Sequence, residues 1–143
     1  MAGAPVEILR QVPLFSELDR RALKHVAQAM SERSFAAGET IAREDEVGVG
    51  FFVVAEGTAR VTVRGKEVAR LGRGDHIGEM ALIADSPRLA TVVAETELRC
   101  FAMTSWEFRR LAEGNAALSW KLLESTMKRV RELEQVRAEA GRS

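Results

Sequence analysis

Between Ser34 and Met103 closely spaced glycines cut the chain into short apolar runs. "FFVVAEG", "ARVTVRG" and "EVARLGRG" are punctuated by Gly50, Gly57, Gly65, Gly72 and Gly74. Segments this short, bounded by residues that supply tight turns, read as strands of an all-β unit. "ARVTVR" alternates apolar with polar residues and predicts a strand with one buried face. "RGKE" predicts the hairpin turn between it and "VAR", and "ATVVAETELRCFAMT" predicts two further strands around a turn at Glu95–Glu97. The tally is roughly seven or eight strands. That is the upper end of what one sheet holds without closing or folding into a sandwich or roll.

Helical periodicity flanks this unit on both sides. "SELDRRALKHVAQAM" predicts a helix capped by Ser16, with Asp19 at N3 and Leu18, Leu23, Val26, Ala27 and Met30 on one face. Before it, "VEILRQVPLF" predicts a short helical turn ended near Pro13, with Leu14 and Phe15 packing the entry onto the core. After the strands, "TSWEFRRLAEGN" predicts a helix capped by Thr104 or Ser105 and stopped near Gly114. A longer helix follows from Asn115 towards Glu139, and fully helical it would reach about 37 Å. Leu118, Leu122, Leu123, Met127, Val130, Leu133 and Val136 form its partial apolar seam, expected to dock on the chain's own strands, and "AEAGRS" is expected to be a frayed tail. At 143 residues one core is the expectation. The fold class is therefore α+β, a single domain over 1–143 with a β-roll at about 34–103 and C-terminal helices at about 104–139.

Charge and composition exclude several functions. Lys+Arg 21 balances Asp+Glu 21, so no global field draws the chain to nucleic acid or an anionic membrane, and an anion site has to be local. Cys100 is the single cysteine; it rules out an internal disulfide framework and reads as a small buried hydrophobe. No apolar run approaches a membrane span, and the N-terminus lacks the order of a signal peptide, so a cytoplasmic location is expected. A metal-dependent β-roll enzyme would need clustered histidines, whereas His25 and His76 fall in unrelated elements. No nucleophilic constellation and no phosphate-cradling Gly-rich loop with Lys-Ser or Lys-Thr is present. The expectation is a protein that is not an enzyme, with no catalytic residues, no metal and no cofactor.

The stretch "GEMALIADSPRLATVV", Gly78 to Val93, carries the chemistry. Gly78 permits a close backbone approach that a Cβ would block. "EMALI" suits one or two helical turns, and Pro87 disfavours helix at Ser86. A short helix between strands presents unpaired N–H groups to an anion, and Arg88 can add two parallel hydrogen bonds to it. Glu79 would repel that anion unless a hydroxyl donor lay between them. Two readings stay open at this point: a ligand with a phosphate and a ribose-like hydroxyl, or a turn in which Glu79 merely favours a helix N-terminus and Arg88 is solvated.

The same stretch resembles the phosphate-binding cassette of the cyclic nucleotide-binding domain family, matching its pattern at Gly78, Glu79, Ala81, Leu82, Pro87, Arg88, Ala90, Thr91 and Val92. "LFSELDRRAL", "FFVVAEGTARV" and "GDHIGE" are similar to other parts of that family, so the resemblance covers about Leu14 to Glu134. It implies an eight-stranded antiparallel, jelly-roll-like β-roll with N-terminal helices and C-terminal hinge and lid helices. It also implies that Arg88 binds a cyclic phosphate, that Glu79 accepts from the ribose 2′-hydroxyl, and that Gly78, Met80, Ala81, Leu89 and Ala90 complete the cradle. Arg129, Val130 and Leu133 become the lid residues near the base, Arg129 pairing with Glu79.

Three departures refine the expectation. Ile77 replaces a phenylalanine, one apolar group for another. Leu89 stands where cGMP-selective relatives carry threonine, so cAMP is expected as ligand ahead of cGMP. The chain stops at Ser143 without a helix-turn-helix, so the effector domain or partner protein is expected elsewhere and direct nucleic-acid contact is not expected. The alternative is a same-fold regulator with another small-molecule effector or none, or a dimerisation module. A homodimer could form through the C-terminal helix, although Arg137 interrupts the heptad begun by Leu123, Val130 and Leu133.

Overall fold

In the computed structural model, which describes residues 3–12, 15–16, 18–48, 50–78 and 87–142, eight strands form two antiparallel sheets. The first has the order β1 (Ser31–Phe35), β8 (Leu98–Thr104), β3 (Gly50–Glu56), β6 (His76–Ile77). The second runs β2 (Thr40–Ala42), β7 (Thr91–Ala94), β4 (Ala59–Val63), β5 (Lys66–Leu71). Between them lies one core, with Phe35, Phe52, Val54, Ile77, Leu98 and Cys100 from the first sheet meeting Ala42, Ala59, Val92 and Ala94 from the second.

A second core covers the other face of the first sheet. Phe51, Val53, Ala55, Phe101 and Met103 pack there against Ile8 and Leu9 of α1 (Val6–Arg10), Leu23 and Val26 of α2 (Arg20–Ala29), Phe108 of α3 (Ser105–Glu113), and Leu118 at the start of α4 (Ala116–Arg142). This is why β3 reads as an unbroken apolar run: both of its faces are covered, so alternation disappears. β4 alternates in sequence, but its burial does so only at its start, where Ala59 is buried and Arg60 exposed, before three half-buried residues. The β4–β5 hairpin turns at Arg64–Gly65, both with positive φ (52° and 79°), as a two-residue turn matched to strand twist requires.

Phe15, Phe51 and Phe108 form one aromatic cluster, with ring centroids 5.9 to 6.4 Å apart. It welds the N-terminal segment, β3 and α3 together. The α3 start is set by a capping box: the Thr104 hydroxyl accepts from the Glu107 N–H, and the Glu107 carboxylate accepts from the Thr104 N–H.

Four sequence expectations need correction. The first main helix starts at Arg20, with Asp19 rather than Ser16 as N-cap, its carboxylate accepting from the Ala22 N–H at 2.8 Å; the preceding Phe15 and Leu18 are buried as non-helical anchors instead. The strands begin at Ser31, not at about 34, because β1 is polar and exposed along most of its length. It is held by pairing with β8 and by Arg99 bridging Glu32 and Glu56 across three strands, and neither leaves a hydrophobic pattern to read. "AEAGRS" is no frayed tail through Arg142, since α4 continues there on good helix formers. Among the described side chains of the α4 seam, Leu118 docks, whereas Leu123, Met127, Val130 and Val136 are exposed. Pro13, Leu14 and the side chains of Leu122 and Leu133 lie outside the described residues.

Candidate functional site

The β3–β6 pairing sets Phe52 opposite Ile77, which brings Gly50, at the start of β3, beside Gly78, just beyond β6. Arg88 reaches this point from the second sheet. Its backbone is fixed on both sides before the side chain extends: the Arg88 N–H donates to the Glu46 carbonyl at 2.9 Å, and the Arg88 carbonyl accepts from the Asp45 N–H at 2.8 Å. Val47 and Pro87 form a second isolated bridge, antiparallel where that of Glu44 and Arg88 is parallel. The segment 44–47 therefore holds 87–88 through isolated bridges outside the sheets.

The Arg88 guanidinium turns inward. Its Nη2 donates to the Gly50 carbonyl at 2.7 Å, while its Nε is buried without a hydrogen-bond partner among the described residues. Burial pushes its pKa below the ordinary arginine range, because a desolvated cation is less favourable than a hydrated one. Two glycines make the room. A Cβ on Gly78, whose φ is 90°, would overlap Nη1 and the Gly50 carbonyl, and a Cβ on Gly48 would lie 2.6 Å from Nη2. An inward, partly desolvated guanidinium with an unsatisfied N–H is prepared for an anion with two acceptors.

Of the residues expected at the site, the structure brings Gly78 and Arg88 together. Leu89 follows Arg88 with its side chain 64% exposed, and Ala90 is half-buried just before β7. Val130 stands 39% exposed on α4. Glu79, Met80, Ala81 and Leu82, the expected one-turn helix and the Ser86 break lie outside the described residues, as do the side chains of Arg129 and Leu133. Sequence reasoning missed Glu44, Gly48 and the Gly50 carbonyl. The two glycines of "EDEVGVG" were the available signal, but nothing local indicates that Arg88, about forty positions on, fills their empty space.

His25 lies on α2 and His76 on β6. Cys100 is buried between the sheets, which pushes its thiol pKa up to about 11.

The strand order, the paired cores and an inward arginine beside two glycines define a β-roll with a guanidinium held at the end of β3. The chain belongs to the cyclic nucleotide-binding domain family, whose model matches residues 32–115. It is 37% identical over 105 residues to a cAMP-dependent protein kinase regulatory subunit of Yarrowia lipolytica, covering 72% of this chain and 28% of that protein. The chain thus spans little more than a quarter of the length of the curated relatives it matches. Among solved structures it resembles cAMP-bound PfPKA-R (141–441), with TM-score 0.79 and 26% identity over 95% of this chain and 46% of that one. The catabolite activator protein of Thermus thermophilus shares the fold, with TM-score 0.83 at 24% identity over 90% of this chain and 63% of that one.

Proposed function

We propose that this chain is a cAMP-responsive regulatory domain. It binds the nucleotide at Arg88 and passes that event through its C-terminal helices to an effector domain or partner protein. The observation that carries the reading is the inward guanidinium, whose buried Nε has no hydrogen-bond partner among the described residues. The cyclic phosphate accepts two parallel hydrogen bonds from Arg88. Glu79 accepts from the ribose 2′-hydroxyl, and the backbone at Gly78, Met80, Ala81, Leu89 and Ala90 completes the cradle. Arg129, Val130 and Leu133 of α4 are the candidates for covering the base. The role is binding rather than catalysis, without metal, cofactor or direct nucleic-acid contact, in the cytoplasm. Among the described residues no helix is long and apolar enough to cross a membrane.

Preference for adenine rests on Leu89, which offers no hydroxyl to guanine, and on the cAMP dependence or cAMP occupancy of the relatives named above. Coupling rests on two adjacent residues. The Gly50 carbonyl receives Arg88, and the Phe51 ring packs on Phe108 of α3. A ligand that draws Arg88 away from Gly50 alters the strand end on which α3 rests. It shifts the population of α3 and α4 positions only by its differential affinity for them; reversing a 1:99 balance takes a preference of about 10⁴-fold. The exposed Leu123, Met127 and Val130 favour a second reading of the output, in which α4 packs against another copy of the chain.

Titration calorimetry with cAMP, cGMP and AMP tests the reading. Binding of cAMP tighter than cGMP, with AMP weakest, is the expected order. Absence of binding by all three overturns the ligand; cGMP tighter than cAMP overturns the base preference.

A further inference from the structure

Glu44 has no place in the cassette and is a half-buried carboxylate. Its oxygens accept from the Arg64 N–H, at 3.0 and 3.2 Å, at the turn of the β4–β5 hairpin. Its own N–H donates to the Thr91 hydroxyl at 3.1 Å, and that hydroxyl lies 3.4 Å from Glu44 Oε1. The backbone of Glu44 bridges Arg88. One residue therefore ties three things together: the hairpin turn, the first residue of β7, and the segment 44–47 whose amides and carbonyls fix the Arg88 backbone. The next residue, Asp45, sits at φ 69°, an unfavourable conformation for a residue with a Cβ. A segment bent in that way stays in place only if its neighbours hold it.

We infer that Glu44 is a positioning residue for cyclic nucleotide binding. By anchoring 44–47 between the Arg64 turn and Thr91, it sets the backbone of Arg88 so that the guanidinium enters the space left by Gly48 and Gly78. The inference rests on the reading of Arg88 as the phosphate partner and adds to it a residue that never touches the ligand.

The test is a set of variants titrated with cAMP by calorimetry, with hydrogen exchange read at the Asp45 and Arg88 amides. Glu44→Ala is expected to weaken cAMP about tenfold, the equivalent of one lost hydrogen-bond tie of about 1.4 kcal/mol, and to speed exchange at both amides. Glu44→Gln, whose carbonyl still accepts from the Arg64 N–H, is expected to restore most of the affinity. Combined with Arg88→Lys, Glu44→Ala is expected to add little to the loss, because a misplaced Arg88 side chain is the only route by which it acts. Should Glu44→Ala fail to fold, Thr91→Val against Thr91→Ser asks the same question from the other end of the tie, with loss expected only where the hydroxyl is gone.

Equal losses in Glu44→Gln and Glu44→Ala, full additivity with Arg88→Lys, or equal affinity for Thr91→Val and Thr91→Ser would overturn the positioning role. Unchanged cAMP affinity in Arg88→Lys and Arg88→Ala would instead remove the underlying reading of the site.

Discussion

Arg88 and Gly50 are joined by a 2.7 Å hydrogen bond from the guanidinium to the backbone carbonyl. The bond spans 38 positions of sequence and connects the loop before β7 to the first residue of β3. It leaves Nε buried and unsatisfied among the described residues, and burial lowers the pKa of this arginine because its charge is partly desolvated.

That arrangement predicts opposite effects on binding and stability. Arg88→Leu is expected to abolish measurable cAMP binding in calorimetry. Its unfolding free energy should stay within about 1 kcal/mol of wild type, because the lost hydrogen bond to Gly50 is offset by removal of a poorly solvated charge. A large loss of stability with retained binding would assign Arg88 to the fold instead.

Gly78→Ala tests the space rather than the charge. The new methyl meets Nη1 and the Gly50 carbonyl at a residue whose φ of 90° already disfavours a Cβ. We expect a loss of about 1–3 kcal/mol in denaturant unfolding together with at least about tenfold weaker cAMP binding. Wild-type affinity would mean that the guanidinium adjusts without consequence.

Phe108→Ala removes the α3 member of the aromatic cluster, which is 1% exposed. Emptying such a site is expected to cost about 3–5 kcal/mol in equilibrium unfolding. The conservative Phe108→Leu should lose less and, if α3 reports ligand binding through Phe51, should reduce the cAMP-induced change in α3 hydrogen exchange while leaving affinity near wild type.

Cys100 supplies a pH test. Burial raises its thiol from 9.0 to about 11, so between these values the unfolded chain has released a proton that the folded chain still holds. With fewer protons bound to the unfolded state, stability falls as pH rises through that window and is fully retained below it. A thiol reagent at pH 8 should label Cys100 only under denaturing conditions, and Cys100→Ala should flatten the decline from pH 9 to 11. Rapid labelling of native protein would contradict its burial.

The β3–β4–β5 succession, the Arg64–Gly65 hairpin and the Thr104 cap were legible in the chain because turn chemistry and strand alternation are local. Asp19 displaced Ser16 as a cap because both side chains can accept from a helix amide, and tertiary packing of Phe15 and Leu18 chose between them. The α4 seam misled for a related reason: an apolar stripe records a face able to pack, not the surface that covers it, and among its described side chains Leu118 alone meets one. Gly78 and Arg88 could each be picked out from the motif, although the pair read there was Glu79 with Arg88. The groups that receive Arg88, Gly48 and the Gly50 carbonyl, could not, since they meet it only through contacts more than thirty residues apart in sequence. Local chain preferences thus wrote the strands, turns and helices and the chemical types at the site. Long-range contacts outside the ladders, the bridges of 87–88 to 44–47 and the bond to Gly50, chose where the charge points, because a guanidinium is directed by the neighbours that exclude water from it and not by the residues beside it in the chain.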